Sequence, residues 1–201
     1  KILLSEQEIV DKIYEIIVYA LFSSLLEAME ISINIEIKNR ENQIFKSFHD
    51  FSAKVLGISS ETIDSQYPAK LFRVGITNAA DRGLDMWGNF GLAIQIKHLS
   101  LTEEVAKDVS AAVSADRIII VCKDAEEKVI LSLLSQLGWK SKIQAVVTLG
   151  ELKDWYSRAL CLRTHPMLGT SILQNLSKQI ELEFPSSQSS HLAQFLQSRG
   201  Y

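Results

Sequence analysis

The sequence is short of the residues that staple small proteins together. Its two cysteines, Cys122 and Cys161, lie far apart and outside any CxxC pair. Its four histidines, His49, His98, His165 and His191, show no metal-ligand spacing. Together these exclude a zinc finger and a disulfide framework. Cys122 follows an apolar run and reads as a small buried hydrophobe rather than a nucleophile. Only 3 Pro and 9 Gly are present, too few for a fibrous or low-complexity chain. Neither sign of charge dominates: 21 Lys and Arg stand against 24 Asp and Glu, a net charge of −3. That excludes coating of nucleic acid by bulk electrostatics but leaves room for a local basic cleft. The longest apolar stretch, Ile16 to Leu26, is bracketed by Glu15 and Glu27 and falls well short of the roughly 20 residues that cross a bilayer. No membrane partner is expected, and the chain reads as soluble and intracellular. No GxGxxG follows an expected strand, which disfavours a nucleotide cofactor.

What is present is an ordinary globular composition, 47% hydrophobic and 22% charged over 201 residues. At about 150 residues per domain this predicts a single domain, 1–201. A chain of this size buries roughly 70% of its unfolded surface and needs no covalent staple. Ser5-Glu6-Gln7-Glu8 has capping-box spacing, and Ile9, Ile13, Ile16, Ile17, Ala20, Leu21 and Leu25 recur at helical intervals, which predicts a core-packing helix over 6–30. Ile31, Ile33, Ile35 and Ile37 then alternate with polar residues, the period of a strand buried on one face. A second helix is expected over 41–56, with Ile44, Phe48, Phe51 and Val55 on one side, ending at Gly57. The polar residues from Ser59 to Pro68 read as a loop.

Short strand-like stretches follow at 71–76, 83–87 and 92–99. Thr102 caps an expected helix that turns Val105, Val109, Ala112 and Val113 inward. Ile118 to Val121 is a continuous apolar run, as in a strand covered on both faces. A helix over 125–137, a strand over 145–149 and helices after Gly150 complete an α/β alternation.

Chemistry concentrates in residues 81–97. Gly88, Asn89 and Gly91 supply turn chemistry between two apolar stretches, which predicts a β-hairpin. If the turn is centred on Phe90, antiparallel pairing sets Asp85 opposite Gln95, and the strand period returns Lys97 to the same face. An acid, an amide oxygen and an amine converge. Asp85, the Gln95 amide and the Ile96 carbonyl match the hard-oxygen preference of magnesium. Such a cation stabilises charge on a scissile phosphate and acidifies water, and Lys97 beside it is suited to orient or deprotonate the attacking water. The patch therefore suits phosphodiester hydrolysis.

The pattern Asp81-x-Gly83-x-Asp85, then Gln95-x-Lys97, resembles the active-site hairpin of the PD-(D/E)XK nuclease superfamily, in the variant where Gln takes the second acidic place, as in Mrr-like restriction nucleases. The stretch from Phe72 to Trp87, with Gln95-Ile96-Lys97-His98-Leu99, is similar to the HaeII-type family of type II restriction endonucleases. The close likeness covers about residues 71–100. It implies an α/β fold with a restriction-endonuclease-like core of α-β-β-β-α-β order and a mixed central sheet flanked by helices. The core would occupy 1–122, with an α/β extension over 123–201. It also implies a site-specific endodeoxyribonuclease in a prokaryotic cytoplasm, acting on double-stranded DNA with Mg2+, with Asp85, Gln95 and Lys97 catalytic.

Two departures matter. No Pro precedes Asp85, and the neutral Gln95 leaves less negative charge around a cation, so a further acid is expected from Asp81, Glu27 or Glu30. Arg82 is the best phosphate contact, since bidentate donors suit phosphate. Arg163 and His165 sit where a helix must end before Pro166, on a loop that either reaches bases or is ordinary surface. His98 points away from Lys97 and reads as a packing histidine. Trp87 shares the face of Asp85 and reads as hairpin packing before base stacking. Because one hairpin site cuts one strand, a homodimer on a palindromic target is expected. The alternatives are a repair or junction-resolving nuclease on the same core, and an inactive DNA-binding module.

Overall fold

The structure, a computed structural model, describes residues 6–39, 41–59, 64–74, 84–97, 115–122, 143–161 and 165–184. Helix α1 spans Glu6–Ala28. Its middle is buried more widely than a single amphipathic stripe requires: Ile16, Val18, Ala20 and Leu21 expose nothing, and Glu15 and Ser24 are buried with them. These positions surround the helix, so it is covered on more than one side. Ile9 and Ile13, expected to face inward, are exposed instead.

The end of α1 is a Schellman turn. The Glu30 N–H bonds to the Glu27 carbonyl at 3.0 Å, the Ile31 N–H to that of Leu26 at 3.5 Å, and Glu30 sits at φ 52°. A residue with a Cβ is strained in that left-handed position, where glycine is usual. Glu30→Gly is expected to stabilise the protein by up to about 1 kcal/mol, read as a raised denaturant midpoint at unchanged slope.

Strand β1, Ser32–Glu36, does not join the main sheet. It pairs antiparallel with β2, Asp64–Pro68, from Ser32 opposite Pro68 to Glu36 opposite Asp64. This corrects two expectations. The segment before Pro68 is a strand and not a loop, and β1 is at most half-buried. Asp-Ser-Gln-Tyr-Pro has little intrinsic strand preference. Pairing with the open edge of β1 supplies its order, helped by a Gln66 Nε2 to Ser32 Oγ bond of 2.7 Å. The expected second helix is broken into α2, Gln43–Ser47, α3, His49–Phe51, and a π-helical turn, Ser52–Leu56. The break falls at Phe48, whose backbone leaves the helical region at φ −119° and ψ 35°. Gly57, at φ 69°, ends the segment as expected. Its apolar side faces outward: Ile44, Phe48, Phe51 and Val55 are all exposed.

The main sheet has five strands in the order β3, Leu71–Arg73; β4, Met86–Gly88; β5, Leu92–Ile96; β6, Arg117–Cys122; β7, Ile143–Thr148. The first two pairings are antiparallel and the last two parallel. Helices α4, Leu149–Ala159, and α5, Pro166–Glu183, follow. Thr148 and Glu151 cap α4 with a reciprocal box, and Pro166 opens α5 where its missing N–H costs nothing. The helices expected over 102–113 and 125–137 lie outside the described residues.

One sheet face carries Leu71, Met86, Leu92, Ile94, Val121 and Val147, packed with Val18 and Leu21 of α1, Leu152 and Ala159 of α4, and Ile172 of α5. On the other face Ala93, Gln95, Ile118, Ile120 and Cys122 are also buried. The central parallel strands are thus covered on both sides.

Candidate active site

The site is built on the β4–β5 hairpin. Met86 faces Ile94, Trp87 faces Ala93 and Gly88 faces Leu92, which centres the turn on Phe90 as the sequence predicts. The three-residue loop is Asn89-Phe90-Gly91, with Gly91 at φ 79°. A side chain there would be strained, and its Cβ would meet Asp116 Oδ2 at 2.9 Å. The turn is tied down on both flanks. Asn89 accepts from Lys70 N at 2.9 Å and donates to Pro68 O at 3.0 Å, and Arg117 donates to Phe90 O at 2.6 Å.

Described pairing of the two strands stops at Met86 and Ile94. Immediately beyond, the Ile96 N–H donates to Asp85 Oδ2 at 2.6 Å, where a continued register would use a backbone carbonyl. The Asp85 carbonyl accepts from Val74 N at 3.0 Å. Asp85 is therefore held to β3 by its backbone and to β5 by its side chain. The Lys97 N–H bonds to Val121 O at 2.9 Å, fixing Lys97 at the end of β5. Gln95 is buried on the sheet face that also carries Ala93, Ile118 and Ile120, whereas the Asp85 carboxyl also interacts with Lys12 and Glu15 of α1.

Burial raises the Asp85 carboxyl above its ordinary value, against the opposing pull of the Ile96 N–H and of the Lys97 charge. Helix α1 supplies the rest of the electrostatics. Lys12 Nζ holds both oxygens of Glu15, at 2.9 and 2.8 Å. Burial raises the Glu15 carboxyl, the Lys12 hydrogen bond opposes this, and the charge of Asp85 adds to the rise. Arg73, on the face of β3 toward α1, lies 4.0 Å from Glu15 and 2.5 Å from Glu183 of α5, and also donates to Gln179 at 3.1 Å. This charged cluster joins α1, β3 and α5 next to the hairpin.

Helical periodicity alone missed Glu15, because it marks a glutamate between apolar turns as solvent-facing. The expected helper acids Glu27 and Glu30 are exposed and line a different cleft with Gln66 and Lys178. They stand 12 or more residues beyond Glu15, roughly 18 Å along a helix rising 1.5 Å per residue. Asp81, Arg82, His98 and Arg163 lie outside the described residues. His165 is exposed beside Leu25 and Met29, near the C-terminal end of α1, whereas Asp85 interacts with its N-terminal half. The structure does not bring the two together. Trp87 packs on Phe72, with ring centroids 4.5 Å apart.

Asp85, the Gln95 amide and the Ile96 carbonyl are all hard oxygen donors of the kind magnesium takes. Among the described residues no cluster of three or more His, Cys, Asp or Glu is arranged to hold a metal, so a cation here relies on neutral oxygens beside one acid. The donor set fits a divalent metal.

The hairpin thus holds a half-buried acid, Asp85, on the N–H of Ile96 in the neighbouring strand. A sequence model of the HaeII restriction endonuclease family matches residues 3–201, and the chain belongs to that family. It is 49% identical over 192 residues to "Type II restriction enzyme HaeII" of Haemophilus aegyptius, covering 96% of this chain and 54% of that protein. It is 48% identical over 193 residues to "Type II restriction enzyme NgoBI" of Neisseria gonorrhoeae, again 96% and 54%. The chain spans about half the length of these curated relatives. No solved structure matches it.

Proposed function

We propose that the chain carries the catalytic hairpin of a type II site-specific deoxyribonuclease, a hydrolase that cleaves the phosphodiester bonds of duplex DNA with Mg2+. The observation that carries this reading is the Asp85 carboxylate seated on the Ile96 N–H beside Gln95 and Lys97. The family membership, over nearly the whole chain, supports it. In this reading α1, β3, β4, β5 and β6 belong to a restriction-endonuclease-like core within 1–122, and 123–201 forms an α/β extension of the same domain.

Asp85, Gln95 and Ile96 would hold the cation, which supplies charge stabilisation at the scissile phosphate and acidifies water. The Ile96 N–H keeps the Asp85 carboxylate in one orientation. Lys97 would orient or deprotonate the attacking water, so that its oxygen lone pair faces the phosphorus. Glu15 adds the negative charge that the neutral Gln95 lacks, and Lys12 keeps that charge balanced in the absence of cation. Arg82 is assigned to a phosphate, and Arg163 and His165 to the DNA surface away from the scissile bond. Among the described residues no helix is long and apolar enough to cross a membrane, and the prokaryotic cytoplasm is the proposed compartment.

A homodimer on a palindromic target fits two-strand cleavage, because protein and DNA two-fold axes then coincide. Digestion of mixed-sequence plasmid DNA with magnesium tests the whole reading. Discrete bands are expected. A smear would remove site specificity, and absence of product would remove the nuclease.

Gln95 provides a sharper test of the donor set. Gln95→Ala is expected to raise the magnesium concentration for half-maximal cleavage roughly tenfold or more, the scale of losing one liganding or supporting group. Gln95→Glu keeps an oxygen and is expected to change the preference between magnesium and manganese. Tighter cation binding need not speed cleavage, since only interactions stronger in the transition state do so. Unchanged metal dependence in Gln95→Ala would reduce Gln95 to a strand residue.

A further inference from the structure

Beside the hairpin site lies a feature that cleavage chemistry does not use. Phe72 of β3 and Trp87 of β4 are cross-strand partners. Their rings stack with centroids 4.5 Å apart and planes 22° apart, yet 38% of Phe72 and 43% of Trp87 remain exposed. Burying such rings is worth more than almost any other side chain offers, so an aromatic pair left half in water invites a partner. The backbone on either side of the pair is tied down. Tyr19 OH bonds to Leu71 O at 3.4 Å, Val74 N bonds to Asp85 O on the other side, and the residue facing Trp87 on β5 is the small, buried Ala93.

The position of the pair decides what that partner is. The described register puts Trp87 on the face of Ala93 and Gln95, two residues along the chain from Asp85. At about 3.3 Å per residue the separation along the strand is roughly 6.6 Å. One strand of duplex DNA advances about 3.4 Å per nucleotide, so the rings stand one or two nucleotides from any phosphate held at Asp85. Every nucleobase presents a π-face that aromatic side chains stack on without regard to sequence. Aromatic and aliphatic side chains inserted at base steps unstack and kink a duplex.

We infer that the Phe72–Trp87 pair is a stacking platform for a nucleobase of the cleaved strand, unstacked next to the scissile phosphate. This rests on the nuclease reading of the hairpin. A platform already stacked in the free protein loses little freedom on binding, so more of the contact appears as affinity. Its role is to position the strand for cutting rather than to read its sequence.

The test uses Asp85→Asn protein in calcium, which is expected to bind without cutting, and duplexes that carry the cut site with 2-aminopurine at successive positions around it. Fluorescence is expected to change sharply at one or two positions flanking the cut, and Trp87→Leu in the same background is expected to abolish that change and weaken binding roughly tenfold or more. Trp87→Phe should recover most of the affinity, which a merely structural loss would not predict. Thermal melting establishes that each variant is folded. Equal affinity and an unchanged 2-aminopurine signal in folded Trp87→Leu would overturn the platform while leaving the nuclease intact. Concentration-dependent self-association lost in Trp87→Leu, without a change in DNA affinity, would assign the pair to a subunit contact and overturn it equally. Absence of cleavage by the unsubstituted protein would instead remove the nuclease reading beneath it.

Discussion

Asp85→Asn and Lys97→Ala are each expected to lower DNA cleavage about 10³-fold, the middle of the range for removing a positioned acid–base or charge-bearing group. Binding of duplex DNA in calcium should remain measurable for both. The two substitutions separate in their effect on stability. Without cation, the Asp85 carboxyl is raised chiefly by burial, so the folded protein holds that proton more tightly than the unfolded chain does. Stability therefore rises as pH falls from neutral through the raised value, and rises no further from this group below the ordinary carboxylate range. Asp85→Asn removes the buried charge. It should melt above the unsubstituted protein at neutral pH in chelator, with the difference shrinking as the medium is acidified. Adding magnesium or calcium should raise the melting temperature of the unsubstituted protein and not that of Asp85→Asn. Thermal melts across pH with and without cation check each arm. A cation response that survives in Asp85→Asn would detach Asp85 from the metal, and full cleavage by either variant would detach the hairpin from catalysis.

The largest stability effect is expected at Arg73. Its side chain is 8% exposed, as are those of Glu15 and Glu183 on either side of it. Removing it leaves the buried carboxylates of Glu15 and Glu183 without it, and among the described residues Lys12 is the remaining cation paired with Glu15. Breaking a buried ion pair from one side typically costs about 3–5 kcal/mol, because a desolvated charge is left behind. Arg73→Ala should lose stability on that scale in urea titrations. The expected remedy is specific. Arg73→Met combined with Glu183→Leu removes the stranded charge as well as its partner, and should recover most of the loss, since buried pairs exchanged for apolar side chains of similar volume are close to neutral. A fall below about 1 kcal/mol in Arg73→Ala would mean that water reaches the cluster.

Cleavage by Arg73→Ala should fall as well, for a different reason from Lys97→Ala. Arg73 pairs with Met86 in the sheet, next to Asp85, and its cluster keeps Glu15 at the hairpin. Loosening it displaces the acid without touching the reacting groups. Cleavage in stabilising conditions should then recover for Arg73→Met with Glu183→Leu, whereas Lys97→Ala should not respond to stabilisation at all.

The legible parts of the fold share one property, which is that their causes are local. Gly88, Asn89 and Gly91 demand a turn, and the strand period on either side counts outward from Phe90, so the opposition of Met86 and Ile94 follows from about ten residues of sequence. The apolar run at Ile118 to Val121 states its own burial. Glu41 to Leu56 misled for the complementary reason. Its helical spacing is real, but Phe48 breaks the helix and nothing among the described residues covers the apolar side, so periodicity foretold a core where there is an exposed surface. Asp64 to Pro68 carried no strand signal, because its order comes from the free edge of β1 and not from its own side chains.

By itself, then, the sequence determined the hairpin and its register. Only the tertiary structure decided which acid stands behind Asp85 and how charge around it is balanced. Arg73 reaches Gln179 and Glu183 across 106 and 110 residues, and no pattern of period two or 3.6 extends over such a separation. Glu15 stands near Asp85, and Glu27 and Glu30 do not, because α1 crosses the sheet with only its N-terminal half near the hairpin. That crossing is set by the packing of Val18 and Leu21 against Leu71, Met86 and Ile94. Hydrophobic burial has no direction of its own and is resolved only when the helix and the sheet meet.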